Sequence, residues 1–281
     1  MALTARDYAQ RAQQLCALPD VYLRLREILD DENASLTEIA DVIILDPALS
    51  STLLKLANSA FFNFPRKIDS ISKALMILGL KEVGTLINVY GTTQAFSNLD
   101  ANVIDLDRFW EISVDCALLC KFLAKKKKIT GSEGLFLSGL LHNLGLLAMI
   151  QSEDKKVIYC EQYDSEEPPW QKQLDVFGFT FADVTAELLS LWQLPEHIIK
   201  PIREYHSAYS QELSAASSLL YITSRLALIN SHPGMYSKKT FLGPHLVKEL
   251  DISMDDINEA IDFCNAEGLA IMSTLKLKNN G

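Results

Sequence analysis

The chain has 281 residues, 48% of them hydrophobic and 22% charged, which permits a sizeable buried core and excludes whole-chain disorder. Its 26 Lys and Arg stand against 36 Asp and Glu, a net charge of −10. A surface that acidic repels phosphate backbones and anionic lipid, so protein or small-molecule partners are expected, with no nucleic acid and no membrane.

Met1 to Tyr8 carry no long apolar run, so no signal peptide is expected. Ser35-Leu-Thr-Glu38 is a capping box, and Leu36, Ile39, Ile43 and Ile44 follow at helical spacing. Asp46-Pro47 restarts the chain with an N-cap and a proline at the first helical position; Leu49, Leu53, Leu56 and Ala57 continue that helix. Ser70 caps a third helix, whose Ile71, Leu75 and Leu78 share a face and whose end Gly79 marks. Further helices are predicted over Phe109 to Lys128, Glu133 to Ile150, Phe181 to Trp192, Ser214 to Ile229 and Met254 to Leu269. No alternating strand pattern appears, and the expected fold class is all-α, a two-lobed helical bundle.

Two stretches read as joints. Ser97 to Asp107 is rich in Asn and Asp and divides the chain into residues 1–105 and 106–281. Gln151 to Trp170 is charged and reads as a short helix and an exposed loop. Lys125 to Lys128 is the one basic run, expected to be a solvated helix end facing the dipole. The longest apolar stretch, Phe136 to Ile150, contains Gly139, His142, Asn143 and Gly145 and is shorter than the ~20 residues of a bilayer crossing, which points to a soluble, cytoplasmic protein. Cys16, Cys116, Cys120, Cys160 and Cys264 include no Cys-x-x-Cys pair and read as reduced, mostly core thiols.

Two segments invite a chemical reading. Leu36 to Leu54 superficially has helix-turn-helix form, but its second helix offers Ser50, Ser51, Thr52 and one cation, Lys55, after a negatively charged turn without glycine. Two ordinary packed helices explain it better than DNA binding does. Leu140-Leu141-His142-Asn143-Leu144-Gly145 places a histidine beside a polar residue within a predicted buried helix. A histidine next to a carboxylate would begin a binuclear metal site, but Asn143 is neutral and a poor substitute.

Leu18-Pro19, the Ser35 helix, Asp46-Pro47-Ala48-Leu49, Leu56 to Phe62 and Ala74 to Leu80 together resemble the N-terminal half of an HDOD domain. Phe109-Trp110, Phe136 to Gly145 and Glu187 to Pro195 resemble its C-terminal half, so the likeness runs in order from about Leu15 to Ile229. HDOD domains are a divergent branch of the HD superfamily, related to the HD-GYP cyclic dinucleotide phosphodiesterases, and the resemblance implies an HD-like C-terminal lobe. Set on that pattern, the positions of the metal ligands hold Ile112, His142, Asn143, Phe181, His206 and Ser224. Only His142 and His206 keep a ligating side chain, no carboxylate remains among the six, and the Gly-Tyr-Pro signature is absent. The resemblance therefore implies a degenerate pocket with no metal, no cofactor and no catalysis, a pseudoenzyme in which His142 is a buried, hydrogen-bonded core residue paired with Asn143.

The same resemblance implies a regulatory role in bacterial signal transduction, beside sensor kinases or cyclic dinucleotide enzymes. No receiver, kinase or cyclase segment is recognised, so the output is expected in another polypeptide. Asn58, Ser59, Arg66 and Lys67 are candidate partner or ligand contacts, being polar positions that helix packing does not require. Phe61, Phe62 and Phe64 are read as core residues pinning the next helix rather than as an exposed anchor. The alternatives are a nucleotide or cyclic dinucleotide sensor and a residual metal-dependent phosphohydrolase, both using the HD-like pocket.

Overall fold

A computed structural model describes residues 3–16, 18–31, 34–58, 68–96, 103–130, 132–207 and 213–275. The described residues are helical or irregular, with no strand among them. The chain forms two compact units, the larger comprising residues 1–16 and 99–266 and the smaller 17–98 and 267–281. This differs from the single division expected at 105/106, because the first helix, α1 (Ala5–Leu15), packs on two helices of the larger unit. Tyr8 anchors it there by donating to Glu153 at 3.0 Å and packing edge-on against Phe177.

The smaller unit is built from α2 (Asp20–Leu29), α3 (Leu36–Ile44), α4 (Pro47–Ala57) and α5 (Ile71–Gln94). The capping box expected at Ser35 forms with Glu38, and Asp46 Oδ1 accepts the Ala48 and Leu49 amides at 2.9 and 3.0 Å. Asp46 Oδ2 also accepts the Tyr90 hydroxyl at 3.0 Å, so one carboxylate ties the start of α4 to α5. Gly79 breaks the helix as expected, at φ 77°, but the chain resumes helical geometry and α5 continues to Gln94. A fully buried Tyr22 then packs against Gly91, where a Cβ would stand 2.2 Å from the ring.

The larger unit continues with α6 (Leu106–Lys126), α7 (Ser132–Leu141), α8 (Leu144–Cys160), α9 (Pro169–Phe177), α10 (Phe181–Leu191), α11 (Glu196–Glu204), α12 (Ala215–Ser231), α13 (Lys238–Phe241), α14 (Pro244–Glu249) and α15 (Met254–Leu275). The last of these runs through Ala266 in this unit, and its remaining residues are assigned to the smaller one. Helix α6 is the central element, packed on α7 and α12 along a face that buries Val114, Cys116 to Cys120 and Leu123. Gly139 permits the close approach of α7, since a Cβ there would lie 2.8 Å from Ala117 Cα. All five cysteines are free and buried.

Two expectations need correction, and a third holds in part. The single helix predicted over Glu133 to Ile150 is two, with a turn at His142-Asn143. The short helix expected from Gln151 is the last part of α8, which leaves helical geometry at Glu153 (φ −138°, ψ 41°) and resumes to Cys160. The lysine run is not simply solvated: Lys126 and Lys127 hold Asp256 at 3.0 and 2.7 Å, and Lys126 also holds Glu259. Two stretches, Ile71–Gln94 and Gly134–Cys160, have the length and composition of a membrane span. The first is broken at Gly79, and the second bends at the His142 turn, its most apolar 18 residues being mostly buried as core.

Candidate functional site

The larger unit holds a partly open cavity of about 380 Å³. Its walls come from α6 (Arg108, Phe109, Ile112), the α7–α8 turn (His142, Asn143), the end of α8 and the chain after it (Ile158, Glu161, Tyr163), and α9 (Trp170, Gln173). A 3₁₀ turn supplies Tyr205 and His206, and α12 supplies Ser224, Leu228 and His232. Five of the six positions aligned with HD metal ligands, Ile112, His142, Asn143, His206 and Ser224, thus face one space. Phe181 does not: it is fully buried behind the wall, where its carbonyl backs onto Gly145 of α8.

His142 is buried and hydrogen-bonded, but its partner is not Asn143. Its Nδ1 lies 2.7 Å from the Gly139 carbonyl, one of the orphan acceptors that every helix C-terminus leaves. A carbonyl can only accept, so Nδ1 carries the proton and Nε2 is left as a lone-pair nitrogen. Burial lowers its pKa to about 4, against a smaller opposite effect of the Gly139 bond, so the ring is neutral at pH 7. Asn143 begins α8 without a side-chain capping bond and lines the cavity.

His206 is also neutral, for a related reason. Its pKa is pushed well below 6.5 by desolvation and then by the nearby Arg225 and His142. Its Nδ1 is sealed from solvent without a hydrogen-bond partner among the described residues, and its ring leans on Tyr205 and Trp170. Arg225 sits behind the wall between the Tyr221 and Trp170 rings, 3.3 and 4.1 Å from their centroids, and donates to the Tyr221 carbonyl at 3.1 Å. Ser224 is turned back to the same carbonyl of α12 at 3.1 Å.

A carboxyl is present that the six aligned positions do not contain. Glu161 lines the cavity, and desolvation raises its pKa to about 7. Asp105 is at the wall as well, its Oδ1 occupied by the Arg108 amide at the start of α6. Neither joins the histidines in a metal site, for among the described residues no three His, Cys, Asp or Glu side chains converge. The donor set does not fit the divalent cation of an HD enzyme.

Of the four contact candidates outside the cavity, Asn58 has a structural task. Its Nδ2 donates to the Leu54 and Ile68 carbonyls at 2.8 and 2.7 Å, and its Oδ1 accepts the Ile68 amide at 2.7 Å. It clamps the two ends of the intervening segment. Ser59, Arg66, Lys67 and the three phenylalanines lie outside the described residues.

Fold and cavity together define the class: an all-helical, HD-like domain with its pocket in the larger unit. The sequence model of the HDOD domain matches residues 15–208, and the chain belongs to that family. A protein provisionally named a phosphohydrolase from Shewanella amazonensis SB2B has the same fold, at 21% identity and a TM-score of 0.74, with 95% of this chain and 97% of that one covered. An HDOD domain protein of unknown function from Geobacter sulfurreducens aligns at 21% identity and TM-score 0.63, covering 92% and 98%. A provisionally named signal transduction protein from Marinobacter aquaeolei VT8 aligns at 19% and 0.72, covering 97% and 65%. An uncharacterised protein of Treponema pallidum (strain Nichols) is 27% identical over 209 residues, and the chain spans 40% of that protein's length.

Proposed function

We propose that this chain is a cytoplasmic regulatory module of signal transduction that acts by binding, without turnover, and that its HD-like cavity receives a small ligand. One observation carries the reading: the larger unit holds a lined cavity of about 380 Å³ in which, among the described residues, the polar groups do not converge as metal ligands. Hydrolysis in an HD site needs a cation to polarise the phosphoryl group and to lower the pKa of bound water. Two neutral imidazoles with an uncoordinated carboxyl do not replace it. Ligand occupancy would then be read by a signalling partner, such as a sensor kinase or a cyclic dinucleotide enzyme. The names of the Shewanella and Marinobacter proteins span both halves of this choice, hydrolase and signalling protein.

The test is to incubate the purified protein with a small-molecule extract, remove unbound material, and identify by mass spectrometry what is retained. The expected result is a compound recovered chemically unchanged by the wild type and lost from His142→Ala. A compound consumed and recovered as hydrolysis products contradicts the reading.

A further inference from the structure

Several polar groups on the cavity wall have no hydrogen-bond partner among the described residues. They are His142 Nε2, the Asn143 amide, the Tyr163 and Tyr205 hydroxyls and the Glu161 carboxyl. Around them stand the rings of Phe109, Trp170 and the two tyrosines, with Ile112, Leu146, Ile158 and Leu228. Unpaired polar groups set in an apolar, aromatic wall are what ligand pockets use to orient their occupants, and the volume falls within the ~300–1,000 Å³ of such pockets.

The charge of the wall decides what the occupant is. Arg108 is the only Lys or Arg among the lining residues; its Nη1 donates to the Ser231 carbonyl at 2.7 Å and to Glu111 at 3.3 Å, so its charge is already shared with a carboxylate. Asp105 and Glu161 add negative charge, and both cavity histidines are neutral at pH 7. A phosphate there would meet one guanidinium, already paired with Glu111, against one or two carboxylates. Because Nδ1 of His142 is spent on Gly139, Nε2 can only accept. The occupant must bring a donor to it, whereas Asn143 and the tyrosine hydroxyls can both donate and accept.

We infer that the cavity takes an uncharged, planar nitrogen heterocycle that donates an N–H to His142 Nε2, and that it excludes phosphate esters. This rests on the small-ligand reading above and narrows it, against the cyclic dinucleotide alternative.

The experiment is calorimetric titration at pH 7 with adenine, guanine, their nucleosides and the matching 5′-monophosphates. The expected result is saturable binding of a base or nucleoside, with its monophosphate weaker by about tenfold or more. His142→Gln and Tyr205→Phe should each weaken the base by about tenfold; the second removes only a hydroxyl and keeps the ring packing, so it guards against a folding failure in the first. A monophosphate bound as tightly as its nucleoside overturns the inference and leaves the binding reading intact. No saturable binding of any probe up to about 1 mM also overturns it. Hydrolysis of a monophosphate during the titration overturns the inference and the binding reading together.

Discussion

Gly145→Ala should unfold the larger unit far more readily than its size suggests. A Cβ at Gly145 would stand 1.9 Å from the Phe181 carbonyl oxygen, 2.8 Å from the Phe181 carbonyl carbon and 3.0 Å from Val184 Cβ. The nearest obstacle is backbone, so no rotamer change relieves it, and reaching ordinary contact at 3.4 Å requires α8 and α10 to part by about 1.5 Å. That displacement also breaks the bond from the Gly145 amide to Thr185 Oγ1, now 2.7 Å, and leaves a buried donor unpaired. Overpacking costs about 1–3 kcal/mol and the orphaned amide about 1–3 kcal/mol, so the expected loss is about 2–6 kcal/mol. At about 2–4 °C per kcal/mol for a domain of this size, the midpoint should fall by about 10 °C. Trp110, Trp170 and Trp192 all lie in the larger unit, so tryptophan fluorescence during urea or thermal unfolding reports on it directly. Gly84→Ala is the control, followed by far-UV circular dichroism. Its Cβ would meet only Leu29 Cδ1 at 3.8 Å, so a helical glycine gains helix propensity and the change should be neutral or stabilising by up to about 1 kcal/mol. A Gly145→Ala midpoint within about 1 kcal/mol of wild type would refute the close-packed junction behind the cavity.

Three further outcomes follow from the same geometry. Glu161 holds its proton more tightly folded, at about 7, than at the ordinary 4.5, so its stabilising contribution is complete below pH 4.5 and lost as pH rises to 7; Glu161→Gln should stabilise the larger unit by about 1–3 kcal/mol at pH 8 and remove that slope, as read by urea unfolding across pH. His142 has the opposite sign: its folded pKa of about 4 lies below the ordinary 6.5, so its contribution is present above pH 6.5 and lost as pH falls to 4, and His142→Gln should flatten that acid limb. The two slopes oppose each other between pH 4.5 and 6.5, and only the single variants separate them. Asn58→Ala removes three hydrogen bonds at once, so the Ile68 amide should lose its partner and exchange with deuterium at least about tenfold faster, checked by hydrogen-exchange NMR.

What could be read from the sequence was local. Ser35, Asp46 and Ser70 announce their helices because a cap is formed by residues two or three apart, and each does cap. The break at His142-Asn143 was invisible because apolar residues continue on both sides, and a turn whose carbonyl is satisfied by a histidine ring needs no Gly-Pro signal. Family resemblance, not periodicity, located Ile112, His142, Asn143, His206 and Ser224, which come from four separate elements. It missed Glu161, Trp170 and Tyr205. Glu161 lies within the charged stretch Gln151 to Trp170, which reads as a short helix and an exposed loop, and only the fold brings it to the cavity. Asn58 shows the converse error: a polar residue at a helix end looked available for a partner but is spent on the backbone of Ile68.

The most direct test of the central claim is phosphate release from phosphomonoesters and cyclic dinucleotides, measured with Mn²⁺ or Mg²⁺ added to the purified wild type and to His142→Ala. Binding without turnover predicts that neither protein releases product above the metal-only blank. Metal-dependent release by the wild type that His142→Ala abolishes would contradict it and restore the cavity to the hydrolases.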